Sequence, residues 1–202
     1  MLNLVVEVGK VAGNRVRGGA AFPAIVGSGI VASVMGQAEA NVVLTGRLTI
    51  PMMKARGFRP NMAGAIEAVA STSGQIMPPV LGLAAFIIAV FLNVPHMDVA
   101  LAGLIPALLF LSGVTCGVLV NAYQEDLPKL SETIDTEALK RLLPAFLLSF
   151  GVVLILLLGY YSPSFAGLLG IVVALVVCPF QGKYKPTRKA LFDSFSEGLG
   201  LI

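Results

Sequence analysis

The chain has 202 residues, of which 56% are hydrophobic and only 12% charged, with a formal net charge of +3 and a mean hydropathy of +0.88. A soluble domain usually charges about a quarter of its residues to face water, so this composition excludes a water-soluble globular protein. It holds no G-x-x-x-x-G-K-[ST] loop for phosphate, no aromatic-interleaved basic patch and no Ser/His/Asp set with a credible third member.

The charges that remain are unevenly placed. No Asp, Glu, Lys or Arg occurs over 99–124 or 142–182, and between 68 and 97 the only titratable side chain is His96. A helix needs roughly 20 apolar residues to cross a bilayer. The sequence therefore predicts an all-α integral membrane protein, a polytopic bundle of apolar helices. The first ten residues include Glu7 and lack a charged start before an apolar core, so they do not read as a signal peptide. Cys116 and Cys178 lie in apolar runs and read as small buried apolar residues.

In chain order, 1–17 is a mixed, partly polar lead-in for the cytoplasmic interface. Segment 18–53 is apolar, with a break at Met35-Gly36-Gln37-Ala38-Glu39. Each arm spans roughly 25 Å if helical, short of a full crossing, which predicts a re-entrant helical hairpin. Lys54, Arg56 and Arg59 follow, around Gly57 and Pro60. Segment 61–92 is interrupted at Ser71-Thr72-Ser73-Gly74-Gln75 and at Pro78-Pro79. Adjacent prolines remove amide donors and kink or end a helix, so this segment reads as one discontinuous transmembrane helix. After the turn Asn93-Val94-Pro95-His96 comes a span at 97–120, then a charged cytoplasmic connector at 121–141 with a helix start at Asp135 or Thr136. Spans at 142–160 and 165–180 are joined by Tyr161-Ser162-Pro163-Ser164. A basic cytoplasmic tail, 181–202, carries Lys183, Lys185, Arg188 and Lys189, and its end reads as an interfacial helix.

Charge sets the orientation. With the tail inside, the connector at 121–141 is inside, the turn at 93–96 outside, and Lys54, Arg56 and Arg59 inside. If 18–53 is a hairpin, Lys10, Arg15 and Arg17 are inside too, and Arg47 lies in the inner arm. All 14 Lys and Arg are then on the cytoplasmic side, as the positive-inside rule requires. A single crossing by 18–53 would put Lys10, Arg15 and Arg17 outside.

Non-helical backbone at membrane depth is tolerated only inside protein or along a wet cavity, and opposed half-helix ends present partial charges to ions and solutes. Polar residues gather at both breaks. Asn41, Thr45 and Thr49 recur every four residues and share a helix face, as do Glu67, Ser71 and Gln75. The two faces are expected to meet around a site for a small ion or solute. Ser33, Gly36, Gln37, Glu39, Asn41, Thr45, Ser71, Thr72, Ser73, Gly74 and Gln75 are its candidate residues. Against this stands the plainer reading that Ser, Thr and Gly only pack helices together. Intramembrane carboxylates are costly and functional by default, which makes Glu39 and Glu67 proton-coupling candidates. Glu67 stands less than two turns past Pro60, leaving open a place near the cytoplasmic interface or a pairing with Arg47 or Arg59. Glu39, at the tip, is the better candidate. His96, in an external turn, reads as solvated, and no metal site is expected beyond a sodium ion.

The run Gly36-Gln37-Ala38-Glu39-Ala40-Asn41-Val42-Val43-Leu44-Thr45-Gly46, continued by Leu48-Thr49-Ile50-Pro51-Met52-Met53-Lys54, resembles the first re-entrant hairpin of TRAP transporter large membrane subunits. Ala70-Ser71-Thr72-Ser73-Gly74-Gln75-Ile76-Met77-Pro78-Pro79 resembles the break that follows it, and the likeness is strongest to fused permeases that work with TAXI-type binding proteins. It covers about 18–111 well and the rest through hydropathy. The resemblance implies an elevator-type secondary transporter in a bacterial inner membrane. A periplasmic solute-binding protein would deliver a small organic acid, a sodium or proton gradient would drive uptake, and no other cofactor would be needed. It implies also that the hairpin tip and the break before Pro78-Pro79 line the site. The family is built from two inverted halves, and this sequence reads as the first, so a remaining half or adjacent chain is expected as a partner. The alternative is a truncated, non-transporting fragment or scaffold that needs such a partner to fold.

Overall fold

The computed structural model describes residues 2–14, 16–129 and 135–177. Among them regular structure is helical: α1 (Leu2–Gly13), α2 (Phe22–Met35), α3 (Ala38–Ala55), α4 (Pro60–Thr72), α5 (Leu83–Leu92), α6 (His96–Gln124), α7 (Thr136–Leu158) and α8 (Pro163–Val177). An isolated bridge pairs Arg17 with Lys129. The tail at 178–202, with Cys178 and the expected interfacial helix, and the connector at 130–134 lie outside the described residues.

Local chemistry explains the boundaries. Pro23 and Pro60 occupy first-turn positions of α2 and α4, where a missing amide costs no helical bond. Gly36 ends α2 at φ 64°, its amide bonded to the Ala32 carbonyl, the left-handed stop that glycine favours. Asn93 ends α5 in the same region at φ 53°. The start of α7 is capped by Asp135, whose side chain accepts the Glu137 amide at 3.1 Å, as the connector sequence predicts.

α2 and α3 form a helical hairpin about Gly36 and Gln37. Their pairing is antiparallel: Ser28 and Thr45, equally far from the tip, have hydroxyls 3.3 Å apart. α4 lies against both, and α1 against α2, so closely that a methyl group on Gly9 would be 2.2 Å from the Pro23 Cα. The core here is built of small side chains, including Ala20, Ala21, Ala24, Ala63, Ala70 and Ala122, with Ile25, Met53, Phe58 and Ile66 filling between them. Small residues let backbones approach, which is how membrane helices pack.

The two ends of the bundle differ in charge. At one end Arg17 pairs with Asp126 at 2.5 Å and Arg59 with Glu125 at 2.9 Å, and the Gly18 amide bonds the Pro128 carbonyl. Exposed pairs of this kind are worth about 0–1 kcal/mol, so they mark this end more than they hold it. Both ends of the hairpin are here, with Lys54 and Arg56. The opposite end carries Asn93, His96, Asp98, Tyr160 and Tyr161, and the Tyr160 hydroxyl donates to Asp98 at 3.3 Å. No Lys or Arg of the described residues lies in its turns, 93–95 and 159–162.

α6 is the one helix among the described residues long and apolar enough to cross a membrane on its own. Leu142–Leu158 and Ser164–Val177 are shorter apolar helices. Leu83, Val90, Phe91, Ile105 and Ile155 stand exposed, and apolar surface this extensive calls for lipid or protein cover.

Three readings change in detail. The run Ser71 to Gln75 does not unwind: α4 continues to Thr72 and a 3-10 turn covers Ser73–Gln75. The non-helical backbone is 76–82, because the prolines at 78 and 79 remove the donors there. Cys116 is exposed, not buried, since α6 is apolar all round and only one of its faces meets other helices. His96 is not solvated through its ring nitrogens. Both are buried without a hydrogen-bond partner, because the ring stacks on Phe86 with centroids 4.1 Å apart.

Candidate functional site

The two polar faces expected from helical spacing do meet, in the middle of the hairpin. Glu67 on α4 is 0% exposed. Its Oε1 accepts from Thr45, from Ser71 at 3.1 Å and from Ser28 at 3.3 Å, and its Oε2 accepts from Thr49. All four hydroxyl residues are buried. Asn41, also 0% exposed, donates its Nδ2 to the Ser28 carbonyl at 3.2 Å, while its Oδ1 has no partner. Neither Arg47 nor Arg59 reaches Glu67: Arg47 is exposed and Arg59 pairs with Glu125. A carboxyl buried among hydroxyls with no cation beside it among the described residues is an uncommon arrangement, since an isolated buried charge is costly.

Ser28 is the member of this cluster that the sequence reading missed. Its signal is the Gly27-Ser28-Gly29 triplet, small residues on both sides of a hydroxyl, at the mirror position of Thr45 across the tip. Gly46 admits the Glu67 side chain: a methyl group there would stand 3.3 Å from Glu67 Cγ.

The tip forms a second junction. Gly36 sits against the Leu81 carbonyl, which a methyl group on it would approach to 2.2 Å, and Gly74 faces Ala32 and the backbone of Gln37. Leu81 itself takes φ 56°, a conformation uncommon for a bulky residue. The helix break at 36–37 and the one at 76–82 are therefore in contact. Here the C-terminus of α2 meets the N-terminus of α3, close to where the 3-10 turn ends and α5 begins. Two cavities flank the junction. One, of about 470 Å³, is lined by Ser33, Met77 and Pro78; the other, of about 420 Å³, by Ser33, Pro79, His96 and Ser149 among apolar side chains.

The remaining candidates divide. Ser33 and Ser73 turn their hydroxyls to carbonyls of their own helices, Ile30 and Ala70, at 2.7 and 2.6 Å. Thr72 is exposed and bonds the Ala68 carbonyl. Gln37, Glu39 and Gln75 are exposed. Glu39 stands in the first turn of α3, where a carboxylate complements the positive end of the helix dipole. No group of three or more His, Cys, Asp or Glu suited to a metal ion occurs among the described residues.

Residues 3–198 match the family described as the tripartite ATP-independent periplasmic transporter, DctM component. An uncharacterized protein, y4mL, of Sinorhizobium fredii is 29% identical over 178 residues, 86% of this chain and 42% of that protein. The C4-dicarboxylate TRAP transporter large permease protein DctM of Vibrio cholerae is 26% identical over 170 residues, 81% of this chain and 36% of that protein. The chain thus spans less than half the length of these relatives. A family match over almost the whole chain, on a helical scaffold with this charge pattern, makes it a membrane protein of the DctM component family of tripartite ATP-independent periplasmic transporters.

Proposed function

We propose that this chain forms the first half of the transport core of a TRAP-type permease that imports a small organic acid. In this reading a periplasmic solute-binding protein of the TAXI type delivers the solute, and a sodium or proton gradient drives its uptake across a bacterial inner membrane. The α2–α3 hairpin is re-entrant, α4 and α5 are the halves of one discontinuous helix, and the unit moves as an elevator against a partner half. The observation that carries it is the junction of two helix breaks, Gly36 packed on the Leu81 carbonyl, between two cavities. Broken helices that meet are how secondary transporters build ion and solute sites. Ser33, Gly36, Gln37, Gly74 and Gln75 are the proposed contacts at this junction. Asn41, Thr45, Glu67 and Ser71 are the proposed ion-linked cluster beneath it.

The test is uptake into vesicles from cells that make the chain together with its neighbouring permease half and binding protein. The name of the Vibrio relative makes a labelled C4-dicarboxylate the first solute to try, with sodium and proton gradients imposed separately. Uptake that needs the chain and one of the gradients is the expected result. Uptake unchanged when the chain is omitted, or driven by neither gradient, overturns the proposal.

A further inference from the structure

The hydroxyls around Glu67 carry a further role, which rests on the gradient-driven transport proposed above. Each hydroxyl around the carboxyl has one proton and at least two acceptors within reach. Thr45 faces Glu67 Oε1 and also the Asn41 carbonyl at 2.8 Å; Thr49 faces Oε2 and also the Thr45 carbonyl at 3.0 Å. Ser28 lies 3.4 Å from Ser71 and 3.3 Å from Thr45, as well as near Oε1.

With Glu67 ionised, Thr45, Ser71 and Ser28 are placed to donate to Oε1 and Thr49 to Oε2, so both carboxylate oxygens have a donor. With Glu67 protonated at Oε2, that O–H donates to Thr49 Oγ1. The Thr49 proton turns to the Thr45 carbonyl, and Oε1 keeps its donors. Every polar atom of the carboxyl has a partner in both states, and the change needs only hydroxyl rotation.

We infer that Glu67 is the residue that takes up and releases the coupling proton, in a shell of four hydroxyls that serves both of its charge states. The proton is drawn from water on one side of the membrane, forms the Oε2–H bond, and returns to water on the other side. Among the described residues no other charge competes at the site. α2 has no titratable residue, and Glu39, Arg47 and Lys54 of α3 are exposed. Glu67 is the only charged residue of α4, and His96 and Asp98 of α6 lie in its first turn, at the opposite end from its C-terminal pair with Arg59. The acceptor Asn41 Oδ1, one turn nearer the tip than Thr45 on α3, is buried without a partner.

Infrared difference spectroscopy of the chain in lipid, stepped in pH, tests this directly through the C=O stretch of protonated carboxyl groups. The expected result is a pH-dependent band present in the unaltered chain and in Glu39→Gln, absent in Glu67→Gln, and shifted in Thr49→Val, which keeps the carboxyl but removes its Oε2 partner. Glutamine keeps the shape and both bonding directions of the protonated acid, and Thr49→Val covers the case in which Glu67→Gln does not fold. A band unchanged by both substitutions overturns the inference, and so does a band that responds to sodium at fixed pH. The readout does not depend on transport. A chain that shows the band but moves no solute overturns the proposed function alone. A transporting chain whose Glu67→Gln variant keeps both band and pH dependence overturns this inference alone.

Discussion

Thr45 and Thr49 are the same residue type, one turn apart on one helix face, both buried and both bonded to Glu67. Replacing either by valine keeps its shape and removes one hydroxyl, yet the two should differ in cost. Oε1 has three donors, so Thr45→Val leaves Ser71 and Ser28 in place. Oε2 has Thr49 alone among the described residues, so Thr49→Val leaves it unpartnered. An interhelical hydrogen bond in membrane proteins is worth about 0.6 kcal/mol on average, which is the expected loss at Thr45. An oxygen left buried without a partner costs about 1–3 kcal/mol, which is the expected loss at Thr49. Reversible unfolding in mixed micelles measures both. A double-mutant cycle of Thr49→Val with Glu67→Gln should return a coupling of about 0.5–3 kcal/mol, the range for residues in one network. If Thr49→Val costs no more than Thr45→Val, or if its effect is purely additive with Glu67→Gln, the description of the cluster is wrong.

Gly36→Ala should loosen the tip, since a left-handed residue costs about 1–2 kcal/mol more with a Cβ and this Cβ would press on the Leu81 carbonyl. Faster hydrogen exchange over 76–82 is the readout, and exchange confined to the hairpin would contradict the contact. Gly9→Ala should force α1 from the Pro23 backbone at about 1–3 kcal/mol, the usual cost of overpacking, seen as a lower denaturation midpoint in micelles. In a background with both native cysteines replaced by serine, Asn61→Cys and Gln124→Cys should react with an impermeant maleimide from the inner face, and Tyr161→Cys from the outer. Labelling of Asn61→Cys and Tyr161→Cys from one face would overturn the orientation drawn from charge.

The turn between α2 and α3 was readable from residues alone because its determinant is local: Gly36 stands at a left-handed φ between two apolar helical runs. The α7 start at Asp135 and the turn after α5 are local in the same sense. Ser28 was hidden because nothing in α2 says which of its faces meets α3. The unwound stretch was displaced to 76–82 because hydroxyl-rich sequence tolerates a helix when its side chains bond back to carbonyls, as Thr72 and Ser73 do. His96 read as solvated because a turn residue is exposed by default, and only the stacking of Phe86 removes it from water.

The two carboxylates divide along this line. Composition and charge spacing by themselves determined a helical membrane protein, its basic end and the polar stripes on α3 and α4. They ranked Glu39 ahead of Glu67, since a tip is where a site is expected. Tertiary packing alone decided that Glu39 stands at the surface of α3 and Glu67 at its interior. A helix face acquires a partner only when the register of two or more helices is set. That register comes from the summed fit of small residues such as Gly9, Ala24, Gly46 and Ala63, none of which announces its neighbour in the sequence.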